Sequence, residues 1–139
     1  MTAHDPVKSM PTIKRNTQMT SDSRLARPMG TFERPRPRLA EAWRSGRSLR
    51  NVVLAAEAAH AFAHSLADGA LPRTDAALED VLAAAARITD PGFQDVGDPQ
   101  ARLRIEVLQQ SVRAMHSAIE VEIGAALDIV PGFNSLDGD

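Results

Sequence analysis

From Leu49 onward the apolar residues fall in register: Leu49, Val52, Ala56, Ala59, Ala63 and Leu66, three and four positions apart in turn. That spacing predicts a helix whose stripe faces a partner helix. Asp68-Gly69 is a suitable stop, since glycine takes the left-handed conformation at a helix end without cost, and Pro72 reinforces it. A second helix is predicted over 74–89, where Leu78, Val81, Ala85 and Ile88 repeat the spacing. Asp75, Glu79 and Asp80 load its first turns with the negative charge that suits the positive end of the helix dipole. The third helix has the clearest start. Asp98 can cap its free amides, and Pro99 occupies the first helical position, where a missing N–H is harmless. Ile105, Leu108, Val112, Met115, Ile119, Ile123 and Ala126 then carry the stripe to Pro131-Gly132. The prediction is an all-α, antiparallel bundle of three main helices.

Ahead of these helices the pattern dissolves. Over residues 1–37 no apolar period is sustained, and Pro6, Pro11, Pro28, Pro35 and Pro37 punctuate the segment. It reads as a disordered, basic leader, unable to bury enough surface to offset its ordering entropy. The folded domain is expected over 38–139. Its first helix begins near Arg38, or after Ser45 or Ser48 if Gly46 breaks an initial turn. Alanine-rich seams bury little area per residue, so a further partner is expected on physical grounds.

Charge divides the chain the same way. Residues 1–50 carry eleven Lys/Arg against four Asp/Glu, and residues 51–139 five against fourteen. A basic arm can engage nucleic acid, an anionic surface or another protein, but no recognition module accompanies it, so no nucleic-acid partner is expected. With no cysteine, disulfides and thiolate metal sites are excluded. No apolar run approaches the ~20 residues that span a bilayer, and the N-terminus lacks the apolar stretch of an export signal. As written, the chain would stay in the cytoplasm.

The end of the chain, Gly132-Phe133-Asn134-Ser135-Leu136-Asp137-Gly138-Asp139, alternates apolar residues with turn formers. It reads as a docked tail, with Phe133 and Leu136 inserted into the bundle while Asn134 and Asp137 bond to backbone amides. This GFN-x-x-DGD string, the approach from Asp90 to Ile129, and the Arg44-Ser45…Ser48 opening within Glu41–Val53 resemble imelysin-like proteins, over residues 38–139. The resemblance makes Arg44, Ser45, Ser48, Gly132, Phe133, Asn134, Asp137, Gly138 and Asp139 family-motif positions of structural character. It implies an all-helical fold of two related halves, exported to the periplasm or outer surface of Gram-negative bacteria. It also implies a link to iron uptake, a frequent classification as metallopeptidase, and iron or zinc in the full-length family. The family's hallmark Gly-x-His-x-x-Glu belongs to its first half and occurs nowhere in this sequence. The chain therefore reads as a C-terminal half, a natural short form or a truncated gene, inactive as a peptidase alone. Its expected partner is the missing N-terminal half or a second copy.

For metal chemistry the candidates are Glu57, His60 and His64, spaced so that all three project from one stripe. His60 and His64, four apart, can share an ion, although the string His-Ala-Phe-Ala-His lacks the glutamate of a zincin. Such a site needs a further ligand from elsewhere. Two half-exposed histidines filling space beside alanines would explain the same spacing. His116 and Glu120, one turn apart with Glu122 nearby, read as a helix-surface pair. Asp137, Asp139 and the terminal carboxylate can gather a hard cation or simply dock the tail. Arg44, Ser45 and Ser48 can bind an anion at a helix start, or one serine can cap it. No lysine or histidine lies close in sequence to activate either hydroxyl, so no catalytic residue is assigned.

Overall fold

The computed structural model describes residues 6–127. Three helices stand where the periodicity places them: α3, Ser48–Leu66, α4, Pro72–Ala86, and α5, Pro99–Ala126. Most stripe residues are buried, while Leu49, Leu78 and Ile88 are only partly covered and Ala126 is exposed, and α4 also buries Thr74, Ala77 and Ala84. Val52, Ala56, Ala59, Ala63 and Leu66 face inward from α3, Val81 and Ala85 from α4, and Ile105 through Ile123 from α5. The start of α5 is capped as its sequence requires: Asp98 accepts a hydrogen bond from the Ala101 amide at 3.0 Å, with Pro99 just inside. α4 packs along α5, and α3 lies against both. Among the described residues the fold is all-helical.

The leader does not behave as expected. Residues 6–29 form a nearly continuous helical rod: α1, Pro6–Met19, a π-helical segment Thr20–Ala26, and a last turn α2, Arg27–Met29. α1 packs on α3 and α5, and the π segment extends the contact with α5. The basic, proline-punctuated segment is therefore part of the bundle, which corrects the boundary at residue 38. Its buried positions are Ile13, Thr17, Thr20, Ser21, Leu25, Pro28 and Met29. These keep helical spacing, but hydroxyls occupy the middle of the stripe, so a search for apolar period passes over it. Some of the cover that the alanine seams call for comes from this rod.

A polar seam is stable only if each buried group is satisfied. Thr17 donates to the Ile13 and Lys14 carbonyls, and Thr20 to the Asn16 carbonyl. Asn16 donates across to the Ala55 carbonyl of α3 at 3.0 Å. From α5, Gln109 donates to the Ser21 carbonyl and Arg113 to the Ser21 hydroxyl. Among the described residues no buried side-chain nitrogen or oxygen lacks a partner.

Arg102 closes the end of this rod. The side chain is almost entirely buried, and its guanidinium donates to the carbonyls of Met29 at 2.6 Å, Thr31 at 3.2 Å and Gly30 at 3.4 Å. The Met29 and Gly30 oxygens lie at the end of the rod, where helix carbonyls lack intrahelical partners and a cation meets the negative end of the dipole; the Thr31 oxygen also accepts from the Arg34 amide at 3.1 Å. Gly30 turns the chain there at φ +54°, and a Cβ would lie 2.5 Å from the Arg34 carbonyl oxygen. Beyond it, the connection to α3 is braced by the loop before α5. Leu49 donates to the Pro91 carbonyl at 2.8 Å, and Gln94 to the Pro37 carbonyl at 2.8 Å.

Replacing Arg102 with Met keeps most of the bulk but removes the donor from the Met29 and Gly30 carbonyls and breaks the 3.1 Å pair with Glu106, while the Thr31 carbonyl keeps the Arg34 amide. The expected loss is ~2–3 kcal/mol of unfolding free energy, measured by urea titration followed by circular dichroism. An Arg50→Met control on the exposed surface of α3 should change little.

Candidate metal centre

The connection between α3 and α4 is only five residues, Ala67 to Leu71, and it brings the first turn of α4 against the last turns of α3. Leu71 and Thr74 are buried there, and Thr74 is held by α5. Glu122 accepts from the Arg73 amide at 3.0 Å, the Thr74 amide at 2.6 Å and the Thr74 hydroxyl at 2.8 Å. A carboxylate on the free amides of a helix start satisfies orphan donors and complements the dipole. Burial pushes the Glu122 carboxyl up, but the Arg73 and Thr74 hydrogen bonds and the Arg73 charge together hold it below the usual value.

With α4 fixed in this way, Asp75 faces α3. Its Oδ1 lies 2.7 Å from His60 Nε2 and 2.7 Å from His64 Nε2. The two rings meet edge to face, centroids 4.6 Å apart. Hydrogen bonds from His64 and then His60 hold the Asp75 carboxyl below its ordinary range, partly opposed by desolvation. The three donor atoms lie within 4.8 Å of one another. Two imidazoles and a carboxylate are a donor set for Zn²⁺ or Fe²⁺. Donors around one such ion, at ~2.0–2.2 Å from it, stand about 3 Å apart, so admitting an ion requires only a small spreading of these contacts.

The carboxylate that meets the two histidines is Asp75, and Glu57 is not part of the group. Glu57 lies one turn before His60 with its side chain exposed. Sequence spacing finds ligands on one helix; Asp75 joins through the α3–α4 turn, which spacing along a helix does not report.

The other predicted residues lie elsewhere. Arg44 and Ser45 sit in a 3₁₀ turn, with the Arg44 guanidinium 5.2 Å from the centre of the Trp43 ring and Ser45 donating to the Ala42 carbonyl. Ser48 does not cap α3: it is buried and donates back to the Glu41 carbonyl at 2.6 Å. The Glu41 carboxylate in turn accepts from Arg24 and Asn51, tying this opening to the π segment. Gly132, Phe133, Asn134, Asp137, Gly138 and Asp139 lie outside the described residues.

His116 does not approach His60 and His64. It pairs through Nδ1 with Thr17, while Nε2 stands 3.7 Å from Glu120, which Lys14 also contacts at 3.1 Å. Burial lowers the His116 pKa, against the pull of Glu120. The Thr17 hydroxyl lies within hydrogen-bond distance of the Ile13 and Lys14 carbonyls as well as of His116 Nδ1, so the contact is a tie between helices whichever ring nitrogen carries the proton. Its role is to lock α1 onto α5.

A model of the imelysin family matches residues 4–119. The match takes in the N-terminal rod, which the resemblance read from the sequence leaves out, and stops before the terminal GFN-x-x-DGD string. No curated protein and no solved structure matches the chain.

The cap that positions Asp75 has a signature in acid. A carboxyl whose pKa is lower folded than unfolded stabilises the fold above its unfolded value, and that contribution is lost as pH falls through the folded value. Glu122→Gln keeps the shape but removes the charge. We expect lower stability than wild type near neutral pH, and a shallower decline below about pH 4.5, both read from urea titrations at a series of pH values.

Proposed function

As the chain belongs to the imelysin family, we propose that it is a metal-binding helical domain of the cell envelope, of the kind linked to iron uptake, and not a peptidase. One observation carries the metal reading: two imidazole nitrogens from α3 converge on a single carboxylate oxygen of α4, each at 2.7 Å. Neutral imidazole and carboxylate together suit borderline divalent ions, iron and zinc among them. The envelope location and the tie to iron follow from the family resemblance. No described helix is long and apolar enough to cross a membrane.

Two features argue against proteolysis. The sequence contains no Gly-x-His-x-x-Glu and no His-Glu-x-x-His. The His60–His64–Asp75 group also has no second carboxylate among its members to act as general base on a metal-bound water. The GFN-x-x-DGD string supports reading the chain as the second of two related halves. A first half, or a second copy of the chain, is then its natural partner. The face it would cover is the groove of about 350 Å³ between α4 and α5, where Leu103 and Val107 are exposed beside Arg87 and Arg104.

Calorimetric titration of the purified chain with Zn²⁺ and with Fe²⁺ under argon tests the metal reading. Wild type should bind one ion, and His60→Ala/His64→Ala should show no specific heat. Asp75→Asn should bind at least roughly ten-fold more weakly, which is about 1.4 kcal/mol. At a hundred-fold excess over Kd the bound ion should raise stability by about 2.7 kcal/mol. Equal heats for wild type and the double variant would end the proposal. Incubated with denatured casein, the chain should release no peptides in a chelator-sensitive manner; activity abolished by His60→Ala in a folded variant would restore the peptidase assignment.

A further inference from the structure

We infer that an ion held by His60, His64 and Asp75 keeps solvent-facing coordination positions, and that these take a compact, singly charged oxygen-donor chelate of the hydroxamate type. The inference rests on the metal reading above and adds what the ion would bind.

The first argument is the number of donors and where they sit. Two nitrogens come from successive turns of α3 and one oxygen from the first turn of α4, so all three approach from the protein side. Among the described residues no further histidine or carboxylate joins the group, and the sequence has no cysteine. Three protein donors leave one position on a four-coordinate ion and three on a six-coordinate one. The outward side is water: the three side chains keep 25, 37 and 49% of their exposure. Closed structural zinc sites instead supply four protein ligands, and open positions mark sites that exchange ligands.

Charge and size select the ligand. Neutral imidazoles and one carboxylate leave a divalent centre with a net charge of about +1, so one negative charge on an incoming ligand completes neutrality. More would be opposed. Glu57, one turn before His60, and Glu79, one turn after Asp75, are both exposed and place an acidic rim beside the centre. A polyanion meets that rim; a monoanion with two adjacent oxygens does not need to. On a six-coordinate ion such a chelate forms two metal–oxygen bonds while two of the three bound waters leave. Its ionisable proton passes to solvent, and the oxidation state of the ion is unchanged.

The test uses Co²⁺, whose visible bands report its ligands, loaded on the full chain and freed of excess metal by desalting. Titration with acetohydroxamate should shift the bands saturably while cobalt stays with the protein, as elemental analysis after a second desalting would show. Citrate at the same concentrations should give no such protein-bound shift. The His60→Ala/His64→Ala protein should carry no cobalt bands. If wild type retains no cobalt, the metal reading itself falls, and this inference with it. Cobalt retained with bands that acetohydroxamate leaves unmoved means a closed site, and overturns the inference alone. So does cobalt stripped into the filtrate, or a citrate complex as tight as the hydroxamate one.

Discussion

The start of α4 is gripped from two directions, and the arrangement of the bundle turns on that grip. On one side Glu122 of α5 takes the Arg73 and Thr74 amides and the Thr74 hydroxyl. On the other, Asp75 takes the two imidazoles of α3. Thr74 is wholly buried between them, while Asp75, the next residue, is exposed. Adjacent residues on a helix point about 100° apart, so one turn of α4 can serve two neighbours at once. A rotation of α4 that loosened the Glu122 cap would also turn Asp75 away from α3. The cap is therefore what makes a weakly ordered surface carboxylate into a positioned donor.

The same economy of contact governs the N-terminal rod. Its inward face carries Ile13, Leu25 and Met29 at the ends and Thr17, Thr20 and Ser21 between them. Hydroxyls stabilise less by burial than aliphatic groups, but each of these has a specific partner on the rod itself or on α5. Directional bonds of this kind fix register, which alanine seams do poorly because they slide. Arg102, Gln109, Arg113 and His116, four side chains along α5, all reach for the rod. Apart from Glu122 at the start of α4, the long helix thus presents aliphatic residues to α3 and α4 and hydrogen-bonding residues to the chain's beginning.

This division explains what was legible in the sequence. The three stripes of α3, α4 and α5 could be read because aliphatic and alanine positions recur every three or four residues, and the Asp98-Pro99 start is a local signal that needs no tertiary context. The rod could not be read the same way. Its period is present, but it is written in threonine and serine, and five prolines in the first 37 residues argue for disorder by composition. Knowing that α5 carries buried Arg102 and Gln109 would have revealed it, since such groups demand partners; that burial is known only from the fold. For the candidate site, His60 and His64 were visible as an i, i+4 pair. Asp75 was visible only as a charge suited to a helix start, and Glu57, nearer in sequence, took its place.

Small residues bear on the site as well as on the core. The buried positions of α3 beside the histidines are Ala56, Ala59 and Ala63, and those of α4 nearest Asp75 are Thr74 and Ala77. Small buried side chains let neighbouring helices pack at shorter interaxial distances than bulky ones do. Aspartate is the shortest carboxylate side chain, and across the five-residue α3–α4 turn it stands 2.7 Å from both imidazoles. A bulkier seam would separate the helices and would need glutamate to span the gap. The small residues that make the bundle weak in buried area thus leave room beside the α3–α4 turn for two imidazoles and one carboxylate to share one point.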